Sequence, residues 1–229
     1  MITQDAWQGG ELVHRLALPP AEIERRSLRL LEEAIATLSL PEWDAFEYRV
    51  ALRMAYAAGD PSIAALVSIA PGAVRAGIES ILREAPIVCD VRMAAAGVSP
   101  ALTRHLGCEV LVAIDRPTVA SAARESGLPR AVHAMAELRS HLPGAVVLIG
   151  NAPTALCALL DLLDDGAGWP ALIVAAPPGF VAAAEAKEEL LQRHLPCVVV
   201  RGTRGGSAVT AAAANALLAM AVEEGGRHA

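Results

Sequence analysis

Apolar positions recur at helical spacing along the first 85 residues. In "PPAEIERRSLRLLEEAIATL", Ile23, Leu28, Leu31 and Ile35 fall on one face, and Pro20 suits a first helical turn, where a missing N–H costs nothing. The stretch "PEWDAFEYRVALRMAYAAG" predicts a second helix that opens near Pro41 and stops at Gly59, and "PGAVRAGIESILREA" predicts a third that ends before Pro86. From there the pattern changes. Short apolar runs, "IVCD", "EVLVAID", "AVVLIGN", "ALIVAAP" and "CVVVRG", alternate with amphipathic stretches. Continuous apolar strands joined by helices predict a parallel sheet covered on both faces. The expected fold is therefore α/β: a single domain with a mainly parallel sheet of about five strands flanked by helices, and a helical N-terminal region. The expected boundaries are an N-terminal extension over 1–19, the α/β domain over 20–222 and a flexible tail over 223–229.

Composition narrows what such a domain can be. A chain of 229 residues that is 54% hydrophobic and 19% charged can bury a substantial core. Its mean hydropathy of +0.42 is driven by alanine. The longest apolar run, "SAVTAAAANALLAMAV", is 16 residues long and contains Ser207, Thr210 and Asn215. It falls short of the ~18 residues of a membrane span and predicts a buried helix. The first residues, "MITQDAWQGGELVHRL", lack the basic start and apolar centre of a secretory signal, so a cytoplasmic location is expected. A net charge of −6 with Lys187 as the only lysine excludes a lysine-rich patch for nucleic acid. Any positive site must be local and built from arginine. Cys89, Cys108, Cys157 and Cys197 stand singly in apolar stretches and are read as reduced core residues. None lies at metal-ligand spacing from a histidine, and no metal is expected.

In an open parallel sheet, ligands bind outside the carboxyl ends of the strands, where helix N-termini present unpaired N–H groups. The five junctions at that edge are "CDVRM" with Asp90 and Arg92, "IDRPT" with Asp115, Arg116 and Thr118, "GNAPT" with Gly150, Asn151 and Thr154, "PPGF" with Gly179, and "RGTRGGS" with Arg201, Arg204, Gly205, Gly206 and Ser207. Singly, the glycines can be turn residues, and Asn151, Thr118 and Ser207 can be helix caps. The last junction asks for more. Adjacent glycines let a backbone approach a ligand closely, and two arginines so near each other need an anion or a carboxylate between them. The nucleotide motifs GxxxxGK[ST] and GxGxxG are absent, as is a Gly-x-Ser-x-Gly elbow. The residues alone define an anion-binding α/β domain.

Taken together, "APGAVRAGI" at 70–78, "APIVCDVRMAAAGV" at 85–98, "IGNAPTAL" at 149–156, "PPGFVAAAEAKEEL" at 177–190 and "RGTRGGSAVTAAAANALL" at 201–218 resemble the precorrin-8X methylmutase family, also called precorrin isomerase, of cobalamin biosynthesis. The resemblance implies an isomerase without a cofactor that moves one methyl group from C-11 to C-12 of precorrin-8X, or of its cobalt form, to give hydrogenobyrinate or cobyrinate. It also implies a homodimer with the site near the subunit interface, and partners limited to that macrocycle, with neither nucleic acid nor membrane. The many acetate and propionate groups of the macrocycle supply the anion that the arginine-glycine loop asks for.

By the same resemblance, Ser27 in "ERRSLRLL" and Arg130 in "LPRAVHAM" fall at positions where the family has a serine and an arginine. With Asp90, Asn151, Thr154, Arg201, Arg204, Gly205, Gly206 and Ser207 they form the expected substrate-binding set. The family's proton-handling histidine lies in a motif that reads "MAYAAGD" here, which puts Tyr56 in its place. Imidazole titrates near neutrality, whereas a phenol is mainly a donor. Three readings therefore stand: a methylmutase using Tyr56, a weak or inactive relative that binds a carboxylated tetrapyrrole, and an α/β protein for another anionic ligand.

Overall fold

The computed structural model describes residues 10–226. The chain runs α1 (Glu11–Leu16), α2 (Pro20–Ile35), α3 (Ala45–Ala58), β1 (Val67–Ile69), α4 (Ala73–Leu82), β2 (Ile87–Cys89), α5 (Arg92–Gly97), α6 (Pro100–His105), β3 (Val110–Val112), α7 (Pro117–Ser126), α8 (Arg130–Glu137), β4 (Val146–Ile149), α9 (Pro153–Asp164), β5 (Leu172–Ala175), α10 (Ala183–Gln192), β6 (Cys197–Val200) and α11 (Ser207–Gly225). A 3-10 helix, Pro61–Leu66, joins α3 to β1. Pro20 occupies the first turn of α2, as its position in the sequence predicts. The opening of α3 differs from expectation. Asp44, not the neighbourhood of Pro41, starts the helix, because its carboxylate accepts from the N–H groups of Phe46 and Glu47 while Glu47 reaches back to the Asp44 N–H.

All five apolar runs form strands, and they are parallel to one another in the order β6-β5-β4-β2-β3. A sixth strand completes the sheet. β1, only three residues long, pairs antiparallel with β6 at the edge, Val67 opposite Val200. Alternation along the strands divides the core. Ile87, Cys89, Val146, Leu148, Leu172, Val174, Val198 and Val200 face α3, α4 and α11, while Val88, Val147, Ile149, Ile173 and Val199 face the side covered by α7, α8, α9 and α10. Cys89, Cys108 and Cys197 are buried free thiols and Cys157 is half-buried.

Helix α11 explains the longest apolar run. It lies against α3, α4 and α5, and Leu217, Leu218, Met220 and Ala221 are fully enclosed. No helix among the described residues is long and apolar enough to cross a membrane. The helix also continues to Gly225, past the boundary expected at 222, because Glu223 pairs with Arg49 at 2.6 Å and Glu224 with Arg75 at 2.5 Å. Residues 1–9 of the expected extension and 227–229 of the expected tail lie outside the described residues.

Candidate active site

Among the parallel strands the order reverses between β2 and β4, the place where a doubly wound sheet ordinarily opens a ligand crevice. Here that crevice is filled by Asp90. Its side chain is fully buried and accepts hydrogen bonds from the backbone N–H groups of Gly150 (3.1 Å), Asn151 (2.8 Å) and Ala152 (2.9 Å). Burial pushes the carboxyl above its ordinary range, and the surrounding amides offset only part of that shift. Asp90 is thus a clamp between two junctions, not a group facing a ligand. Arg92 and Asp115, from the neighbouring junctions, are spent on each other.

The other end of the carboxyl edge is built around the loop from Arg201 to Gly206. Gly205, at φ +148, lies so close to Ala176 that an added Cβ would sit 2.0 Å from the Ala176 carbonyl oxygen, and the Gly206 N–H donates to that same oxygen at 2.8 Å. Gly205→Ala must therefore displace backbone, and we expect a loss of about 3 kcal/mol of stability, measurable by urea unfolding. Gly150 permits a second close approach, since a Cβ there would meet the Ser207 Cα at 2.8 Å. Ser207 is not a cap but the first residue of α11, with Gly206 as the N-cap. It is 6% exposed, and its Oγ is the one buried side-chain polar atom among the described residues without a hydrogen-bond partner.

The two arginines do not share an anion, because each has its own carboxylate. Arg201 donates to both oxygens of Glu188, at 2.9 and 2.8 Å. Arg204 donates to Asp60 and, at 2.8 Å, to the Ser62 hydroxyl. Asp60 also accepts from the Ser62 N–H at 2.9 Å, which caps the 3-10 helix. The Arg204 contact accordingly ties the glycine loop to the end of α3. Lys187 supports the loop from beneath. It is fully buried, donates to the Arg204 carbonyl at 3.0 Å, and burial lowers its ammonium to about 8 against the pull of Glu188. Lys187 was visible in the sequence only as a count; its isolation between Ala186 and Glu188 in an amphipathic helix gave no sign of burial.

Two clefts flank the end of α3. One, of about 360 Å³, is lined by Ser27, Leu31, Tyr56, Gly59 and Pro61. The other, of about 330 Å³, is lined by Ala58, Asp60, Pro178, Arg204, Gly205 and Val209. Tyr56 is 38% exposed, and the Arg53 guanidinium lies 5.8 Å from its ring centroid while donating to Glu24 at 2.8 Å. The fold therefore brings Ser27, Tyr56, Arg204, Gly205 and Gly206 to one end of one helix, and adds Asp60 and Arg53, which sequence reasoning missed. Arg53 precedes Tyr56 by three residues, a helical spacing that would have placed it on the same face. Asn151 and Thr154 stand at the start of α9, beyond the Asp90 clamp. Arg130 is the exposed first residue of α8, on the opposite side of the sheet from Tyr56, and within one chain it does not join the cluster.

Polar side chains gathered at the carboxyl edge of a doubly wound sheet, in clefts bounded by a helical layer, are the layout in which α/β proteins of this class hold small molecules. Residues 22–220 match the precorrin-8X methylmutase family, a family of isomerases of cobalamin biosynthesis, and the chain belongs to it. It is 45% identical to the precorrin-8X methylmutase of Pseudomonas aeruginosa over 175 residues, which are 74% of this chain and 82% of that one. It is 32% identical to the cobalt-precorrin-8 methylmutase of Priestia megaterium over 206 residues, 90% of each chain. The solved structure of precorrin-8X methylmutase from Thermus thermophilus superposes with a TM-score of 0.77 at 36% identity, over 89% of this chain and 98% of that chain.

Proposed function

We propose that this chain moves a methyl group from C-11 to C-12 of precorrin-8X, or of its cobalt form, to give hydrogenobyrinate or cobyrinate. The observation that carries the reading is the convergence of Ser27, Tyr56 and the Arg204–Gly206 loop, from three distant parts of the sequence, on the end of α3. The migration occurs within one molecule, so no atom is gained or lost. What the protein must supply is a fixed pose for the macrocycle and a group that hydrogen-bonds the ring as the methyl moves. Tyr56, half-exposed in its cleft, is the donor, and the Ser27 hydroxyl lies in the same wall. The carboxylates of the macrocycle would engage Arg204 by displacing or sharing Asp60. The test is conversion of precorrin-8X to hydrogenobyrinate by the purified protein, followed by the visible spectrum. No conversion and no binding of either compound would overturn the reading.

The proposal includes a cytoplasmic homodimer. Arg130 lies apart from Tyr56 within one chain, and neither α3 cleft alone encloses a macrocycle; a second copy that presents its own Arg130 to the site answers both points. Sedimentation equilibrium at micromolar concentration is expected to give twice the chain mass, with well over ~1,000 Å² buried in total. A monomer at high micromolar concentration would remove the second copy from the site.

A further inference from the structure

The loop between β5 and α10 carries the most exposed apolar side chains of the described protein: Phe180 is 93% exposed and Val181 84%. Phenylalanine occurs only twice in the chain, and the other, Phe46, packs against the core under the Arg75 guanidinium. The base of the loop, by contrast, is fixed. The Gly179 N–H donates to the Thr203 carbonyl at 3.0 Å, which joins the tip to the arginine-glycine loop, and Pro178 is part of the wall of the cleft formed by Arg204, Gly205 and the end of α3. The aromatic tip thus stands on the rim of that cleft, one residue beyond an anchored backbone. Of the other exposed aromatics among the described residues, Tyr56 lines the neighbouring cleft and Trp169 precedes β5 and so belongs to the amino end of the sheet.

The cleft itself is polar along Asp60 and Arg204, which suits a carboxylate fringe. A corrin-type ring also has a broad apolar face; the walls of the cleft offer it small aliphatic groups such as Ala58 and Val209, and the rim adds an aromatic one. We propose that Phe180, with Val181 beside it, is a substrate-positioning residue that lies on the apolar face of the macrocycle while the Arg204–Gly206 side holds its carboxylates. The assignment rests on the tetrapyrrole reading above. It accounts for an aromatic group held in water on a rigid base, an arrangement that contributes nothing to the folded core. Continuity of the tip with the cleft favours the macrocycle over a second copy of the chain as its cover.

Hydrogenobyrinate is the probe, titrated into the wild type, Phe180→Ala, Phe180→Leu and Phe180→Trp. Because the ring touches so little of the protein, the unfolding midpoint is expected to be unchanged in all three variants. Affinity is expected to fall about tenfold in Phe180→Ala, the factor that corresponds to losing one aromatic contact, and to be partly restored by leucine. In Phe180→Trp the extra indole emission, taken as the difference from wild type, is expected to be quenched on binding. Equal affinity of the wild type and Phe180→Ala overturns the proposal while leaving the tetrapyrrole reading intact. Equal affinity together with a loss of dimer in Phe180→Ala assigns the tip to an interface between copies instead. Failure of the wild type to bind overturns the tetrapyrrole reading and the role of Phe180 with it.

Discussion

Tyr56→Phe is expected to convert precorrin-8X at least about 100-fold more slowly than the wild type, with its affinity for hydrogenobyrinate nearly unchanged. Positioned proton donors and acceptors contribute on the order of 10²–10⁴ to rate, and the substitution removes only the hydroxyl. The ring stays in place against Arg53, whose guanidinium is held by Glu24, so packing and binding survive. A loss confined to turnover would identify a group that acts as the methyl moves, since interactions equal in ground and transition states change KM instead. Tyr56→His is expected to turn over faster than the wild type, because imidazole both gives and takes a proton near neutral pH while a phenol mainly donates. Equal rates for the wild type and Tyr56→Phe would leave Tyr56 without a chemical role. A wild type that binds the product but never turns over would make the chain a tetrapyrrole-binding relative.

The fold was legible where burial writes itself into sequence, and less so elsewhere. Strands β2 to β6 are covered on both faces, so each appears as an apolar run; β1 is three residues at an edge, and "VSI" carries no such run. Pro41 is a plausible first-turn residue, yet the reciprocal bonds of Asp44 and Glu47 fix the start of α3 three residues later. The candidate site was legible in residue type and less so in partner. Arg201 and Arg204 stand close in sequence and suggest one shared anion, but the fold supplies Glu188 from α10 and Asp60 from the end of α3. Those carboxylates come from 13 and 144 residues away, a separation that spacing cannot reveal. Ser27 and Tyr56 were placed by family resemblance, and α2 packing on α3 puts them in one wall.

Asp90 shows most sharply how a residue can be at the right edge of the sheet for the wrong inferred reason. Its place at a strand end suggested a ligand contact, whereas its oxygens close the switch point and bind the β4–α9 loop to β2. Asp90→Ala is expected to destabilise the fold by about 4 kcal/mol, since it strands three backbone N–H groups, of which the one on Gly150 belongs to a buried residue. Asp90→Asn keeps one acceptor and is expected to fall between the alanine variant and the wild type. The pH dependence has a definite sign. Because burial raises the native carboxyl above its unfolded value near ~3.9, the folded state holds the proton more tightly, and the contribution of Asp90 to stability declines as pH rises from that value through the raised one. The gap in unfolding free energy between wild type and Asp90→Ala should accordingly be widest in acid and narrow to a plateau towards neutrality, as measured by urea unfolding across that range. A gap that instead widens as pH rises would mean that the backbone amides outweigh burial and hold the carboxyl below its ordinary value.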